Sequence, residues 1–391
     1  MEITLTRKIL IEPSEEQEIL LKSTAQAYTD ACNYISAFCF REHTTSKKNI
    51  QESLYYDLRE HFNLPSQMAI SAIRSVVSAY ATVHATQKRW SVQPAFKKQK
   101  YNLTWNRDYS LNRKTGDFSL NTLDGRQHIK TQWKGQEKYS SLEKYGTATI
   151  AFKHGKWFAH IPVSITVDEL SLDDVVDIMG IDLGVNFLAT AYSSTTGKTQ
   201  FFSGKHIKHK RAQYNNLRSE LQRKGTRSSR KRLKAIGNRE NRWMSDINHT
   251  ITKALVNTTN PTLFVLEDLS GIRSATEKVR TKDRYVQVSW AFYDFRKKLE
   301  YKAQLHGHKV LIVDPRYTSQ MCPKCGYTHK KNRNKKTHTF CCTKCGYCSN
   351  DDRIAAMNLC AKGIQYRAQF AMSKAPSEGE SHHPHDVPTA S

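Results

Sequence analysis

The chain has 391 residues, 38% of them hydrophobic and 10% aromatic, which suits two or three globular domains with buried cores and excludes a disordered polymer. Lys and Arg number 61 against 36 Asp and Glu, a formal net charge of +25. That excess points to a polyanionic partner, nucleic acid ahead of an anionic membrane, because no apolar run of spanning length and no basic amphipathic segment backed by Trp and Leu occurs.

From the start, MEITLTRKILIEP alternates apolar and polar residues up to a proline and reads as a strand. Ser14 with Glu15 and Glu16 opens a capped helix that continues through ACNYISAFCF. Two further helical stretches, QESLYYDLREHF and SQMAISAIRSVVSAYATVHATQKRW, flank Pro65. From about Gln93 the period changes to alternation, in AFKKQKYNLTWNRDYSLN, DFSLNTL and TATIAFKHGKWFAHIPVSI, with HGK at 154–156 as a hairpin tip. The first strand is expected to join these later ones, leaving the helices as an insertion. SLDD at 171–174 marks a domain boundary.

Beyond it, DIMGIDLGVNFLATAYSSTTGKTQFFSG predicts three strands with tight turns, and residues 205–257 a long basic helical region interrupted near KGTRSS. TLFVLEDL is a buried-type strand, SWAFYDFRKKLEYKAQLHG an amphipathic helix, and HKVLIVDP another strand. A cysteine-rich segment follows, then a helix from Asp352 and a polar tail, SKAPSEGESHHPHDVPTAS, expected to be disordered. The N-terminus lacks the charged start, apolar core and cleavage site of a signal peptide. Nine cysteines, an odd number clustered late, make no secreted disulfide framework, so a reducing cytosol is the expected home.

Cys322, Cys325, Cys342 and Cys345 follow the spacing C-x₂-C-x₁₆-C-x₂-C, which predicts a structural zinc site. Each hook brings two thiolates to one ion, and Gly326 and Gly346 suit the tight knuckle. Cys341 and Cys348 are weaker alternatives as ligands. His329 and His338 read as solvent-facing members of a basic loop, and Cys32, Cys39 and Cys360 as core or neutral positions.

Three acidic positions carry the expected chemistry. Asp182 interrupts an apolar strand, Glu267 and Asp268 end another, and Asp351 and Asp352 open a helix. A carboxylate in a buried strand is costly unless paired or metal-bound. Strand-end carboxylates from distant parts of a chain, converging on one point, suit hydrolysis of phosphodiesters with two magnesium ions. Singly, each position could equally be a strand end at solvent or a helix N-cap.

The segments GIDLGVNFLAT, FVLEDLSGIR, YTSQMCPKCG, FCCTKCG and DDRIAAMNL resemble, in that order, the TnpB proteins of insertion sequences. These are OrfB-type RNA-guided DNA nucleases related to compact type V CRISPR effectors. The resemblance is strong over roughly 176–362, and KILIEPSEEQEILL resembles the family's opening strand and helix. It implies an α/β fold: an RNase H-like (RuvC) nuclease domain, 173–317 and 347–372, with an inserted zinc ribbon, 318–346. Ahead of it the resemblance implies a β-barrel-like wedge domain, 1–12 and 93–172, carrying a helical recognition insertion, 13–92, and the tail is 373–391. Asp182, Glu267 and Asp352 match the catalytic, magnesium-binding acids. Ile354 stands where the family has Asn, but Ala355, Ala356 and Asn358 set the register on Asp352 rather than Asp351. In the family the ribbon precedes the third aspartate, so zinc is expected to order the loop that delivers it.

Between the first two motifs the helical region is one-sidedly basic, including Lys210, Arg211, Arg223, Lys224, Arg227, Arg230, Lys231 and Arg232. Such a run repels itself without a polyanion beside it, and the resemblance implies contact with guide RNA or the guide–target duplex. The expected activity is RNA-guided cleavage of double-stranded DNA, encoded by a transposable element, in the prokaryotic cytosol or nucleoid. The element's transposase is expected as a functional associate, and no membrane partner is expected. The alternatives are a cleavage-inactive guided repressor, a compact type V CRISPR effector, and an unguided zinc-ribbon DNA binder.

Overall fold

The computed structural model describes residues 1–112, 114–132, 143–237, 239–269, 292–334 and 336–374, and the chain divides into two units, Met1–Thr166 and Val167–Ser391. Residues 289–291 of the amphipathic segment and the tail from 375 lie outside the described residues. Among the described residues no helix is long and apolar enough to cross a membrane.

The first unit contains β1 (Glu2–Glu12), α1 (Glu15–Arg41), α2 (Lys47–Glu60), α3 (Ser66–Thr86), β2 (Lys100–Leu103), β3 (Tyr109–Asn112), β4 (Asp117–Thr122), β5 (Gly125–Gln132), β6 (Glu143–Tyr145), β7 (Ala148–Lys153) and β8 (Lys156–Thr166). Alternation along β1 buries Ile3, Ile9 and Ile11. The strand lies antiparallel between β8, from Glu2↔Thr166 to Ile11↔Trp157, and β5. The described sheet runs β2-β7-β8-β1-β5-β4-β3 with β6 also on β8, an open half-barrel. His154 and Gly155 both take positive φ between Lys153 and Lys156, the geometry of a two-residue hairpin turn matched to strand twist.

A capping box starts α1: Ser14 Oγ accepts from Gln17 N at 3.3 Å, and Gln17 Oε1 accepts from Ser14 N at 3.1 Å. The helices attach to the later chain by polar clasps. Asn33 exchanges two bonds with the Phe96 backbone, 3.0 and 2.8 Å, and Asn102 Nδ2 donates to Ser75 Oγ at 2.9 Å.

The second unit contains β9 (Asp177–Asp182), β10 (Phe187–Ser193), β11 (Thr199–Ser203), α4 (Lys205–Lys224), α5 (Arg227–Ile236), α6 (Arg239–Val256), β12 (Thr262–Glu267), α7 (Phe292–Leu305), β13 (Lys309–Val313), β14 (Arg333–Asn334), β15 (Thr339–Cys341), β16 (Cys348–Asn350) and α8 (Asp351–Lys374). Its main sheet has the order β11-β10-β9-β12-β13. β10 pairs antiparallel with both β11 and β9, whereas β12 runs parallel to both β9 and β13. The run Leu263–Leu266 is apolar at every position because both faces of β12 are covered. Phe264 and Leu266 pack with Met244, Leu255, Phe295 and Leu299 of α6 and α7, and Leu263 and Val265 with Leu359 and Cys360 of α8. Full burial of each such side chain contributes roughly 1.5–3 kcal/mol.

Candidate metal centre

Asp182 and Glu267 are the last residues of β9 and β12, which are paired in parallel register through Ile181↔Leu266. Their carboxylates therefore leave the sheet side by side. The third acid arrives on α8, and Gly180 explains how. A Cβ at Gly180 would collide with Ala356 O and Cys360 N, so the missing side chain lets the backbone of α8 lie directly on β9. Cys360 Sγ also bonds Ile178 O at 3.2 Å. This approach carries the first turn of α8 to the strand ends, and Asp182, Glu267 and Asp352 line one cleft of about 810 Å³. Gly180→Ala is expected to cost about 1–3 kcal/mol by overpacking and to displace Asp352, read as a lower urea midpoint with a disproportionate loss of activity.

The two adjacent aspartates have different surroundings. Neither is the N-cap: Asn350 Oδ1 accepts from Asp352 N and Arg353 N, both at 3.1 Å. Asp352 lines the cleft, whereas the buried Asp351 accepts from Arg333 Nε at 2.8 Å and lies 3.6 Å from His338 Nδ1. Ile354 is fully buried with Cys322, Phe340 and Cys342, so it anchors α8 in the cysteine-rich lobe. Asn358 fastens the same helix to the preceding loop, donating to Thr318 O at 2.6 Å and Met321 O at 2.8 Å. Thr318 in turn donates its hydroxyl to Glu267 Oε1.

The electrostatics of the cleft are those of anions without enough compensation. Burial, then the charges of Glu267 and Asp352, push the Asp182 carboxyl well above its usual range. Burial raises Glu267, opposed by the Thr318 bond, and burial followed by Asp351 raises Asp352. Hard oxygen donors crowded against one another are what a divalent cation such as magnesium neutralises, so the donor set fits such an ion.

Four thiols form a second cluster. The Sγ atoms of Cys322, Cys325, Cys342 and Cys345 lie within 4.8 Å of one another. Two of the separations, Cys322 to Cys345 and Cys325 to Cys342, are 3.6 Å, close to the ~3.8 Å edge of a tetrahedron with ~2.3 Å zinc–sulfur bonds. Gly326 and Gly346 adopt φ of 69° and 70°, and their amides return to Cys322 O and Cys342 O, both at 2.9 Å. The cluster fits zinc. Cys341 and Cys348 lie outside it, joined by a disulfide across β15 and β16, a bond that the cysteine count did not lead us to expect.

Among the basic candidates one correction is needed. Arg211 is 3% exposed, its Nε 3.3 Å from Glu240 Oε1, and Arg218 Nη1 reaches Glu240 Oε2 at 2.6 Å. A buried carboxylate between α4 and α6 demands this counter-charge, so Arg211 serves the contact between these two helices and does not stand with the exposed cations. Lys210 is half-buried with its Nζ 4.5 Å from the centre of the Trp243 ring. Arg223, Lys224, Arg227, Arg230, Lys231 and Arg232 are exposed.

Sequence reasoning missed Arg333, Lys208, Asn186, His338 and Thr318, all of which line the cleft. Lys208 bonds Asn186, whose amide contacts the His338 ring. Nothing in KKNRNKK separates Arg333 from its basic neighbours, because its role comes from Asp351. Arg333→Ala leaves a fully buried carboxylate without its arginine and is expected to destabilise the chain by about 3 kcal/mol. Chemical denaturation would show this, with Asp351→Asn in the same chain recovering part of the loss.

Residues 160–270 match the model of a family described as "Probable transposase", and residues 292–359 that of the Cas12f1-like TNB domain. The CRISPR-associated endodeoxyribonuclease Cas12f1 of Syntrophomonas palmitatica is 29% identical over 207 residues, 49% of this chain and 40% of its own. A TnpB-like protein of Methanocaldococcus jannaschii is 30% identical over 132 residues, 33% of this chain and 46% of its own. The chain thus spans less than half the length of these two relatives. Among solved structures, a Cas12f1–sgRNA–target DNA complex contains a chain with a TM-score of 0.62 at 15% identity, covering 89% of this chain and 83% of that one, a likeness of fold. Over its matched segments, 160–270 and 292–359, the chain is similar in sequence to the family described as "Probable transposase" and to the Cas12f1-like TNB domain, and its curated relatives include Cas12f1 and TnpB-like proteins.

Proposed function

We propose that the protein is an RNA-guided DNA endonuclease of a transposable element, cutting double-stranded target DNA by metal-dependent phosphodiester hydrolysis. The observation that carries the reading is the convergence of Asp182, Glu267 and Asp352 in one cleft, from two strand ends and a helix start. The sheet order β11-β10-β9-β12-β13, antiparallel then parallel, with helices on both faces, supports an RNase H-like nuclease domain. The thiol cluster supports a zinc ribbon built against its third acid. The first unit is read as the wedge sheet with its helical recognition insertion.

In this reading the three carboxylates hold two magnesium ions, which when bound supply charge neutralisation at the scissile phosphate and an activated water. Thr318 orients Glu267 through its hydroxyl, and Asn358 holds the Thr318 loop. Arg333, positioned by Asp351, presents its remaining guanidinium donors at the cleft, where a phosphate oxygen can accept them.

The exposed arginines and lysines of α4 and α5 are read as the guide-RNA face. Replacing Arg227, Arg230, Lys231 and Arg232 with Gln is expected to weaken RNA binding. It should also flatten the slope of log K against log salt by roughly 0.7 per lost contact on single strands. Filter binding across a salt series checks this, and an unchanged slope removes the face from the reading.

The functional test is expression with the flanking genomic DNA, sequencing of bound RNA, and magnesium-dependent cutting of a matched target beside Asp182→Ala. Defined RNA with cutting lost in the variant supports the nuclease. Defined RNA and target binding without cutting by the unmodified chain would indicate a guided repressor, and absence of bound RNA would reject guidance.

A further inference from the structure

The cysteine-rich lobe holds a second cysteine pair, joined by the disulfide described above, that the four-thiol cluster does not use. Cys341 and Cys348 face each other in the antiparallel register of β15 and β16, with Cα atoms 4.1 Å apart. This is near the ~4.5 Å of a non-hydrogen-bonded pair, in which side chains share one face. Strand alternation separates them from the metal ligands: Cys342 is buried toward Phe340 and Ile354, whereas Cys341 and Cys348 are exposed. Their placement in the chain is the informative feature. Residues 342–347 between them form the second knuckle, closed by Cys342 N donating to Tyr347 O at 2.9 Å and carrying Cys342 and Cys345. A bond from Cys341 to Cys348 clasps that knuckle at its base. It also ties β15 to the strand that runs directly into Asp351 and Asp352.

We propose that Cys341 and Cys348 are a reversible oxidative modification site, taking low-molecular-weight disulfides as oxidant, and that the resulting bond holds the second knuckle closed around its metal. One cysteine thiolate attacks the added disulfide, forming a mixed disulfide and releasing one small thiol. The other cysteine then attacks the protein sulfur of that mixed disulfide and expels the second small thiol. The protein loses two hydrogens and two electrons, and the added disulfide is reduced to two thiols. A small dithiol reverses the exchange. Both sulfurs belong to exposed residues, whereas Cys32, Cys39 and Cys360 are buried, and the hook cysteines, of which Cys325 and Cys345 are also exposed, form the cluster that fits zinc. Closing the short loop before metal binding removes chain entropy that the zinc-free knuckle would otherwise carry.

The test uses the full chain loaded with zinc, reduced by a dithiol, freed of it, and treated with oxidised glutathione. The expected product is lighter by two hydrogens, retains its zinc, and yields a non-reduced tryptic pair linking Thr337–Lys344 to Cys345–Arg353 through Cys341 and Cys348. Zinc loss to a competing chelator should then be on the order of tenfold slower than from the reduced chain. A Cys341→Ser, Cys348→Ser double variant should keep its zinc and lose the difference between the two treatments. Stable glutathione adducts, crosslinks through Cys342 or Cys345 with zinc released, or equal zinc loss in both states would each overturn the proposal. None of these readouts depends on nuclease activity.

Discussion

Asp182→Asn is expected to abolish cutting and, in the same chain, to stabilise the metal-free protein. If the cleft holds two metal ions as proposed, removal of one carboxylate forfeits several kcal/mol of transition-state stabilisation; at about 4 kcal/mol this is a loss of roughly 10³-fold. Stability moves the other way because the cleft packs three carboxylates together. The Asp182 carboxyl is driven well above its usual range by burial and by Glu267 and Asp352.

The sign follows from linkage. A carboxyl with a raised folded-state value prefers its proton in the folded chain, so it adds no penalty below the unfolded value near 4. Above that, the penalty grows with pH until the folded-state value is passed. The melting temperature of the magnesium-free protein should therefore fall from about pH 4 toward neutrality. Asp182→Asn should flatten that fall and gain on the order of 1 kcal/mol at neutral pH. Magnesium should restore the unmodified chain by mass action and have less effect on the variant. Thermal melts across pH with and without magnesium, beside a cleavage assay, decide it. A variant that melts lower than its parent at neutral pH would show that Asp182 is a satisfied structural residue.

Loss of the thiol cluster should be as severe for activity by a different route. Cys322 and Cys342 are themselves part of the small core that includes Phe340 and Ile354. That core is too small to hold its shape without the metal. Cys342→Ala is expected to reduce bound zinc from roughly one ion per chain to background and to loosen the anchor of Ile354. The first turn of α8 then loses its seat, and Asp352 with it. Cutting should fall by about 10³-fold, as for the loss of a metal ligand, although the acids are untouched. Zinc analysis and the cleavage assay measure the two effects on one preparation. Unchanged zinc and unchanged cutting would separate the lobe from the acidic cleft.

Much of this protein was legible in the residues themselves. Apolar runs ending in an acid, as in IMGID and LFVLE, exposed Asp182 and Glu267 because a carboxylate at the end of a buried strand has few inexpensive explanations. The paired C-x-x-C-G hooks declared their geometry through spacing alone. The hairpin at 154–156 and the capped start of α1 were equally local.

The tertiary structure decided matters that depend on partners distant in the chain. β5 escaped notice because Ile129 is its one buried hydrophobic residue, and its pairing with β1 and β4 makes it a strand. Arg211 reads like every other cation of the basic run until Glu240 is folded against it. The placements of the adjacent aspartates depend on the fold in the same way. Asp352 faces Asp182 and Glu267 because α8 lies on Gly180, whereas Asp351 turns to Arg333. Sequence patterning reports which face of an element is buried and which residues share a turn. Which charge meets which across the fold depends on packing between segments far apart in the chain, and that is where this cleft acquires its arginine, its orienting threonine and its third acid.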